Sequence, residues 1–138
     1  MTKEQTVIQA ARQLSARGAV VFGGLATLLH FREKGLPTSD INDLDLIVPA
    51  DIFYRWKSNQ RCQKVGEHYE YRSERLKIDI HSEFEIVGRK SNDVATISNI
   101  RCVSWEDLIA IKMFAINKGA KKSNRYKKEL VLAAVKTG

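Results

Sequence analysis

Asp43-Leu44-Asp45-Leu46-Ile47-Val48 is the stretch on which the fold turns. It alternates and then becomes wholly apolar, the pattern of a strand that enters a core. Asp43 and Asp45 are two positions apart, so on a strand both carboxylates project from one face. Side by side they repel unless a cation lies between them, and Mg²⁺, which prefers oxygen ligands, suits that place. A solvated strand end is the plainer explanation of such a pair. Here, however, the pair leads directly into Leu46-Ile47-Val48, at the mouth of a buried strand.

Upstream, Ala19-Val20-Val21-Phe22 is too short for a helix and rich in β-branched residues, which predicts a buried strand. Gly23 and Gly24 follow at once, and Leu25, Leu28 and Leu29 then mark one face of a helix that closes near Gly35. Glycines between a strand and a helix let a phosphate approach the backbone, where the first N–H groups of the helix lack partners. A tight turn with no ligand explains the same pair. Residues 3–17 read as an amphipathic helix carrying Val7, Ala11 and Leu14 on one face. Thr2 and Gln5 form a capping box at its start, and Gly18 suits the left-handed residue that ends it.

Downstream, Pro49 closes the strand and suits the first turn of a helix over about 50–59, with Ile52 and Trp56 on one face. His68-Tyr69-Glu70-Tyr71-Arg72 and Leu76-Lys77-Ile78-Asp79-Ile80-His81 both alternate, and Ser73-Glu74 between them predicts a β-hairpin. Asp79 would share its face with Lys77 and His81. Residues 83–87 extend or pair with this sheet, residues 88–97 read as loop, and Ile100-Arg101-Cys102-Val103 as a short edge strand. Ser104 caps a further helix with Asp107 in its first turn, and Leu108, Ile111, Met113 and Ala115 fill its apolar face. A basic helix over about 122–136 completes the chain. This order, without regular βαβ alternation, predicts one α+β domain over residues 1–138, a small mixed sheet flanked by helices with further helices at the C-terminus.

Composition narrows the function classes. The 138 residues carry 23 Lys and Arg against 16 Asp and Glu, a net charge of +7, which favours polyanionic partners such as RNA, DNA or nucleotide phosphates. Lys118, Lys121, Lys122, Arg125, Lys127 and Lys128 crowd together near the C-terminus, either as a phosphate-binding surface or as a solvated helix face. Cys62 and Cys102 form no CxxC pair and read as two buried thiols in a reducing compartment. His30, His68 and His81 lack zinc-ligand spacing. No apolar run reaches the ~18 residues that span a bilayer. Nothing resembles an export signal, so the expected location is the cytoplasm, with no membrane partner.

Taken together, Val21-Phe22-Gly23-Gly24, the helix after it, Asp43-Leu44-Asp45-Leu46-Ile47-Val48 and Leu76-Lys77-Ile78-Asp79-Ile80-His81 resemble the signature of minimal nucleotidyltransferases of the DNA polymerase beta superfamily. The stretch from Val103 to Lys112 and the basic run ending Lys127-Lys128-Glu129-Leu130 are similar to that family's C-terminal helices. The groups most resembled are the lincosamide-type antibiotic nucleotidyltransferases and those of toxin–antitoxin and phage-defence pairs. The resemblance implies an Mg²⁺-dependent enzyme, with two metal ions, that moves a nucleoside monophosphate from a nucleoside triphosphate such as ATP to an acceptor hydroxyl. Asp43, Asp45 and Asp79 would hold the metal and carry catalysis, Asp79 assisting deprotonation of the acceptor. Gly23, Gly24, Lys112 and Lys128 would contact the nucleotide phosphates. The acceptor is left open among RNA or a tRNA end, a protein and a small hydroxylated molecule, and a homodimer or an operon partner protein is compatible with so short a chain. The gap from Gly24 to Asp43 is longer than usual, Asp40 falls nearer the usual spacing than Asp43 does, and Leu36-Pro37-Thr38-Ser39 stands where an arginine is common. An alternative therefore stays open: a catalytically degenerate copy that acts as an antitoxin-like or nucleic-acid-binding interaction module.

Overall fold

Thr2 opens the chain's first helix as the sequence predicts. Its hydroxyl accepts from the Gln5 N–H (3.1 Å) while its own N–H donates to Gln5 Oε1 (2.8 Å). The computed structural model describes residues 2–41, 43–58, 61–66, 68–82 and 94–137. In chain order the elements are α1 (Lys3–Ser15), β1 (Val20–Phe22), α2 (Gly23–Glu33), β2 (Asp43–Val48), α3 (Ala50–Lys57), β3 (Cys62–Val65), β4 (His68–Arg72), β5 (Lys77–Ser82), β6 (Val94–Ile97), β7 (Ile100–Val103), α4 (Trp105–Asn117) and α5 (Ser123–Thr137).

Seven strands, counted among the described residues, form one mixed sheet in the order β3-β4-β5-β2-β1-β7-β6. β2 and β5 are parallel neighbours at its centre, as are β1 and β7; every other pairing is antiparallel. One face of the central strands is apolar. Leu44, Leu46 and Ile80 are fully buried there beside Ile78, and Tyr69 and Tyr71 meet Phe53 and Trp56 of α3 edge to face at 5.3 Å. The other face of β2, β5 and β4 carries Asp43, Asp45, Lys77, Asp79 and Glu70, because pleating sends alternate residues to opposite sides. His30 buries its ring in the core by donating from Nε2 to the Val103 carbonyl at 2.8 Å. Among the described residues, no helix is long and apolar enough to cross a membrane.

Several sequence expectations need correction. The stretch 94–97 is a strand, not loop: Ser98 and Asn99 both take positive φ (52° and 63°), the two-residue turn that matches hairpin twist, and Ile97 pairs with Ile100. β7 consequently lies inside the sheet between β1 and β6, not at its edge. β3 went unrecognised because Cys62-Gln63-Lys64-Val65 has no apolar alternation; it forms by pairing with β4. α1 stops at Ser15 and α3 at Lys57, each two residues before the expected end; beyond α1, Gly18 takes φ +102° and Ala19 N–H turns back to the Leu14 carbonyl. Met113 faces outward, about half exposed, rather than filling the apolar face of α4, and Cys62 is only partly buried. The expectations for 83–93 lie outside the described residues.

Candidate active site

Sheet register brings the three aspartates together. β2 and β5 run in parallel with Asp45 opposite Asp79 and Asp43 opposite Lys77, and β4 adds Glu70 opposite Asp79. One row across the sheet thus reads Phe22, Asp45, Asp79, Glu70. A cavity of about 160 Å³ opens over it, lined by Asp40, Asp43, Asp45 and Asp79, by Lys77, Lys122 and Arg125, and by Gly24 and Ile41. Asp40, in the loop before β2, lines the cavity too, whereas Asp43 is fixed in the strand.

Two observations show a site short of positive charge at its centre. Burial first, then the charge of the neighbouring Asp79 carboxylate and a hydrogen bond that the protonated Asp45 shares with it, pushes the Asp45 carboxyl from 3.8 up to about 7; Lys122 opposes this only in part. Asp79 Oδ1 is buried and no described residue gives it a hydrogen bond; His68 Nε2 stands 3.6 Å away. Lys77 is the nearest internal cation, 3.7 Å from Asp79 Oδ2 and 4.0 Å from Asp43 Oδ2, but its shortest contact is Glu70 Oε1 at 3.0 Å. That contact raises the Lys77 ammonium above its ordinary value and lowers the Glu70 carboxyl below its own. An orphaned carboxylate oxygen beside a carboxylate that resists ionisation fits an oxygen-seeking divalent cation.

The residues around this centre define the surroundings of that charge. His68, Glu70 and Asp79 offer ligand atoms all within 4.8 Å of one another. The sequence reading passed over this set, although His68 and Glu70, two apart on a strand, were its visible signal. His68 stacks on His81 at 4.4 Å, and Phe22 meets His81 edge to face at 5.1 Å. Burial first, then His68, pushes the His81 imidazole down to about 4, so it stays neutral at pH 7.

Gly23 is shaped by Asp45. It sits at φ +68°, and a Cβ there would land on Asp45 Oδ2 and 2.9 Å from Cγ. At Gly24 a Cβ would meet only Ile41 Cγ2 at 3.6 Å. α2 begins at this glycine pair with no side-chain cap and no acidic residue in its first turn, so its leading N–H groups remain available to an anion. Beyond Gly24 and Arg125 lies a second cavity of about 400 Å³, walled by Leu28, Phe31, Pro37 and Leu132 and reached by Lys128.

Of the two lysines expected at the phosphates, Lys128 lines this second cavity, whereas Lys112 lines neither. Lys112 is 4% exposed and donates to Glu129 Oε1 at 2.9 Å, tying α4 to α5. Burial lowers its ammonium, and Glu129 counteracts the shift. Breaking a buried pair strands a charge, so Lys112→Ala is expected to cost about 3 kcal/mol in urea denaturation, and Lys112→Met with Glu129→Leu to restore most of it. Lys122 and Arg125, both beside the aspartates, were visible in the sequence only as members of a basic run.

A mixed sheet with carboxylates on adjacent parallel strands, an uncapped glycine-led helix beside them and two C-terminal helices, the last of them basic and at the cavity, constitutes the nucleotidyltransferase fold. Two solved structures share it. A solution structure of the antibiotic-resistance factor ANT(2'')-Ia superposes with a TM-score of 0.64 at 15% identity, covering 99% of this chain and 86% of that one. A crystal structure of ANT(2'')-Ia in complex with adenylyl-2''-tobramycin gives 0.61 at 15%, covering 98% and 90%. At that identity the likeness is one of fold. No protein-family model and no curated protein matches the sequence.

Proposed function

We propose that this protein is an Mg²⁺-dependent nucleotidyltransferase that moves a nucleoside monophosphate from a nucleoside triphosphate to an acceptor hydroxyl. The single observation that carries this reading is the half-buried Asp45–Asp79 pair, short of a counter-ion, beside the uncapped start of α2. The ANT(2'')-Ia complex, which holds an adenylylated small molecule on the same fold, supports it.

Asp43, Asp45 and Asp79 would hold Mg²⁺, which when bound supplies charge neutralisation at the reacting phosphate. Gly24 leaves room for the triphosphate against the start of α2, in the cavity that Lys122 and Arg125 also line, whereas the space beside Gly23 is taken by the Asp45 carboxylate. Lys128 and the apolar walls of the 400 Å³ cavity would receive the rest of the nucleotide. Lys112 contributes through α5, since it fixes Glu129, whose Oε2 lies 3.8 Å from Arg125 Nε. In the transfer the acceptor oxygen bonds to the α-phosphorus, the bond from that phosphorus to the bridging β-oxygen breaks, and pyrophosphate leaves. Asp79 accepts the acceptor's proton, its buried Oδ1 being unspent in the resting protein.

Isothermal titration with a non-hydrolysable nucleoside triphosphate checks the ground state of this site. Binding is expected with Mg²⁺, and to fall at least on the order of tenfold with EDTA or in Asp43→Asn. Affinity unchanged by both would contradict the reading.

A further inference from the structure

We propose that a cavity beside the β4–β5 turn is the acceptor site and that it recognises a phosphate-bearing acceptor rather than a polycation. The inference rests on the nucleotidyltransferase reading above, which places the nucleotide on the other side of the aspartates. This cavity, about 650 Å³, lies beside the 73–76 turn and the start of α1. It shares Asp43 and Lys77 with the aspartate cavity and no other residue, so the two spaces meet across the Asp43–Lys77 contact. The glycine-led start of α2, Lys122 and Arg125 all belong to the other side. A hydroxyl group entering from the 650 Å³ side therefore reaches the aspartates opposite the expected triphosphate, the arrangement that transfer requires.

Its charge selects the acceptor. Lys3, Arg72, Arg75 and Lys77 line it against Asp43 and Glu74. Glu70 engages Arg72 (3.3 Å) and Lys77 (3.0 Å), whereas Lys3 and Arg75 make no ion pair among the described residues. Arg72 and Arg75 bracket the tight turn that joins β4 to β5, held by Ser73 N–H donating to the Leu76 carbonyl at 2.9 Å. Two guanidinium groups on so short a turn suit the bidentate oxygens of phosphate. A polyamine such as an aminoglycoside would meet four cations here.

Binding measured without nucleotide or Mg²⁺ tests the cavity separately from catalysis. One arm uses a fluorescein-labelled single-stranded RNA 12-mer with a free 3′-hydroxyl, read by anisotropy across a salt series; the second uses glucose 6-phosphate, read by calorimetry. Arg72→Gln/Arg75→Gln is compared with Lys64→Gln/Arg101→Gln, which removes the same charge from exposed positions outside the cavity. If RNA is the source of the phosphate, the cavity variant lowers the log–log salt slope by about 1.4 and the control does not, as two lost single-strand phosphate contacts dictate. If a small phosphorylated compound is the source, glucose 6-phosphate binds and only the cavity variant weakens it, on the order of tenfold. Equal losses in both variants, no binding in either arm, or tobramycin bound more tightly than both probes would overturn the proposal. Cavity-dependent binding without nucleotide transfer would leave this site standing and remove the enzymatic reading instead.

Discussion

Asp45→Asn is expected to make the metal-free protein more stable at pH 8 while abolishing nucleotidyl transfer. In the fold the Asp45 carboxyl titrates near 7, against 3.8 when free, because burial and Asp79 both oppose its charge. A folded pKa raised above the unfolded one gives a contribution fully present below about pH 4, lost as the pH rises to about 7, and flat above. A shift of that size corresponds to a few kcal/mol, on the order of 2–4. The asparagine carries no charge, and its amide can donate to the orphaned Asp79 Oδ1. Urea denaturation in EDTA should show the natural protein losing stability between pH 5 and pH 8 and the variant keeping it. Mg²⁺ should restore the natural protein at pH 8 and leave the variant unchanged. The same loss in both proteins would mean that Asp45 is not the strained group.

The two glycines at the start of α2 should differ sharply. Gly23→Ala puts a methyl group onto the Asp45 carboxylate at a backbone φ of +68° that L-residues rarely adopt. Together strain and overpacking predict a loss of roughly 2–4 kcal/mol, and any accommodation displaces Asp45 and with it divalent-ion binding. Gly24→Ala meets an ordinary contact at 3.6 Å with φ in the normal range, and should change stability by less than about 1 kcal/mol. Thermal denaturation and Mn²⁺ binding followed by paramagnetic resonance separate them. Equal effects at the two positions would show that Gly23 serves only the turn.

That difference between adjacent glycines marks how far the sequence could be read. Gly23-Gly24 announces a strand-to-helix turn, but only the Phe22–Asp45 register reveals which glycine faces a carboxylate. β2 was legible to the residue, because Asp43 through Val48 combines alternation with an apolar end. β4 and β5 were legible as a hairpin for the same reason. β3 and β6 were not: the first is polar and the second gains its partner through a Ser98-Asn99 turn that lacks glycine. In the site, Asp43 and Asp45 stood out by spacing and Asp79 through the resemblance, and the structure sets all three beside one cavity. The cations facing them did not stand out, since Lys122 and Arg125 are two of many in a basic run, and their selection depends on how α5 packs on α4. Lys112 shows the converse, a lysine in a fitting sequence position whose ammonium is occupied by Glu129, seventeen residues on.

Transfer of label from an α-³²P nucleoside triphosphate tests the central claim most directly. Purified protein is incubated with Mg²⁺, the labelled nucleotide and a cell extract, and label is followed into the RNA, protein and small-molecule fractions. The account predicts incorporation that disappears in Asp43→Asn, Asp45→Asn and Asp79→Asn, each shown to be folded. No incorporation by the folded natural protein, or incorporation that survives all three substitutions, would contradict it; the first result would leave a nucleotidyltransferase fold that serves as an interaction module.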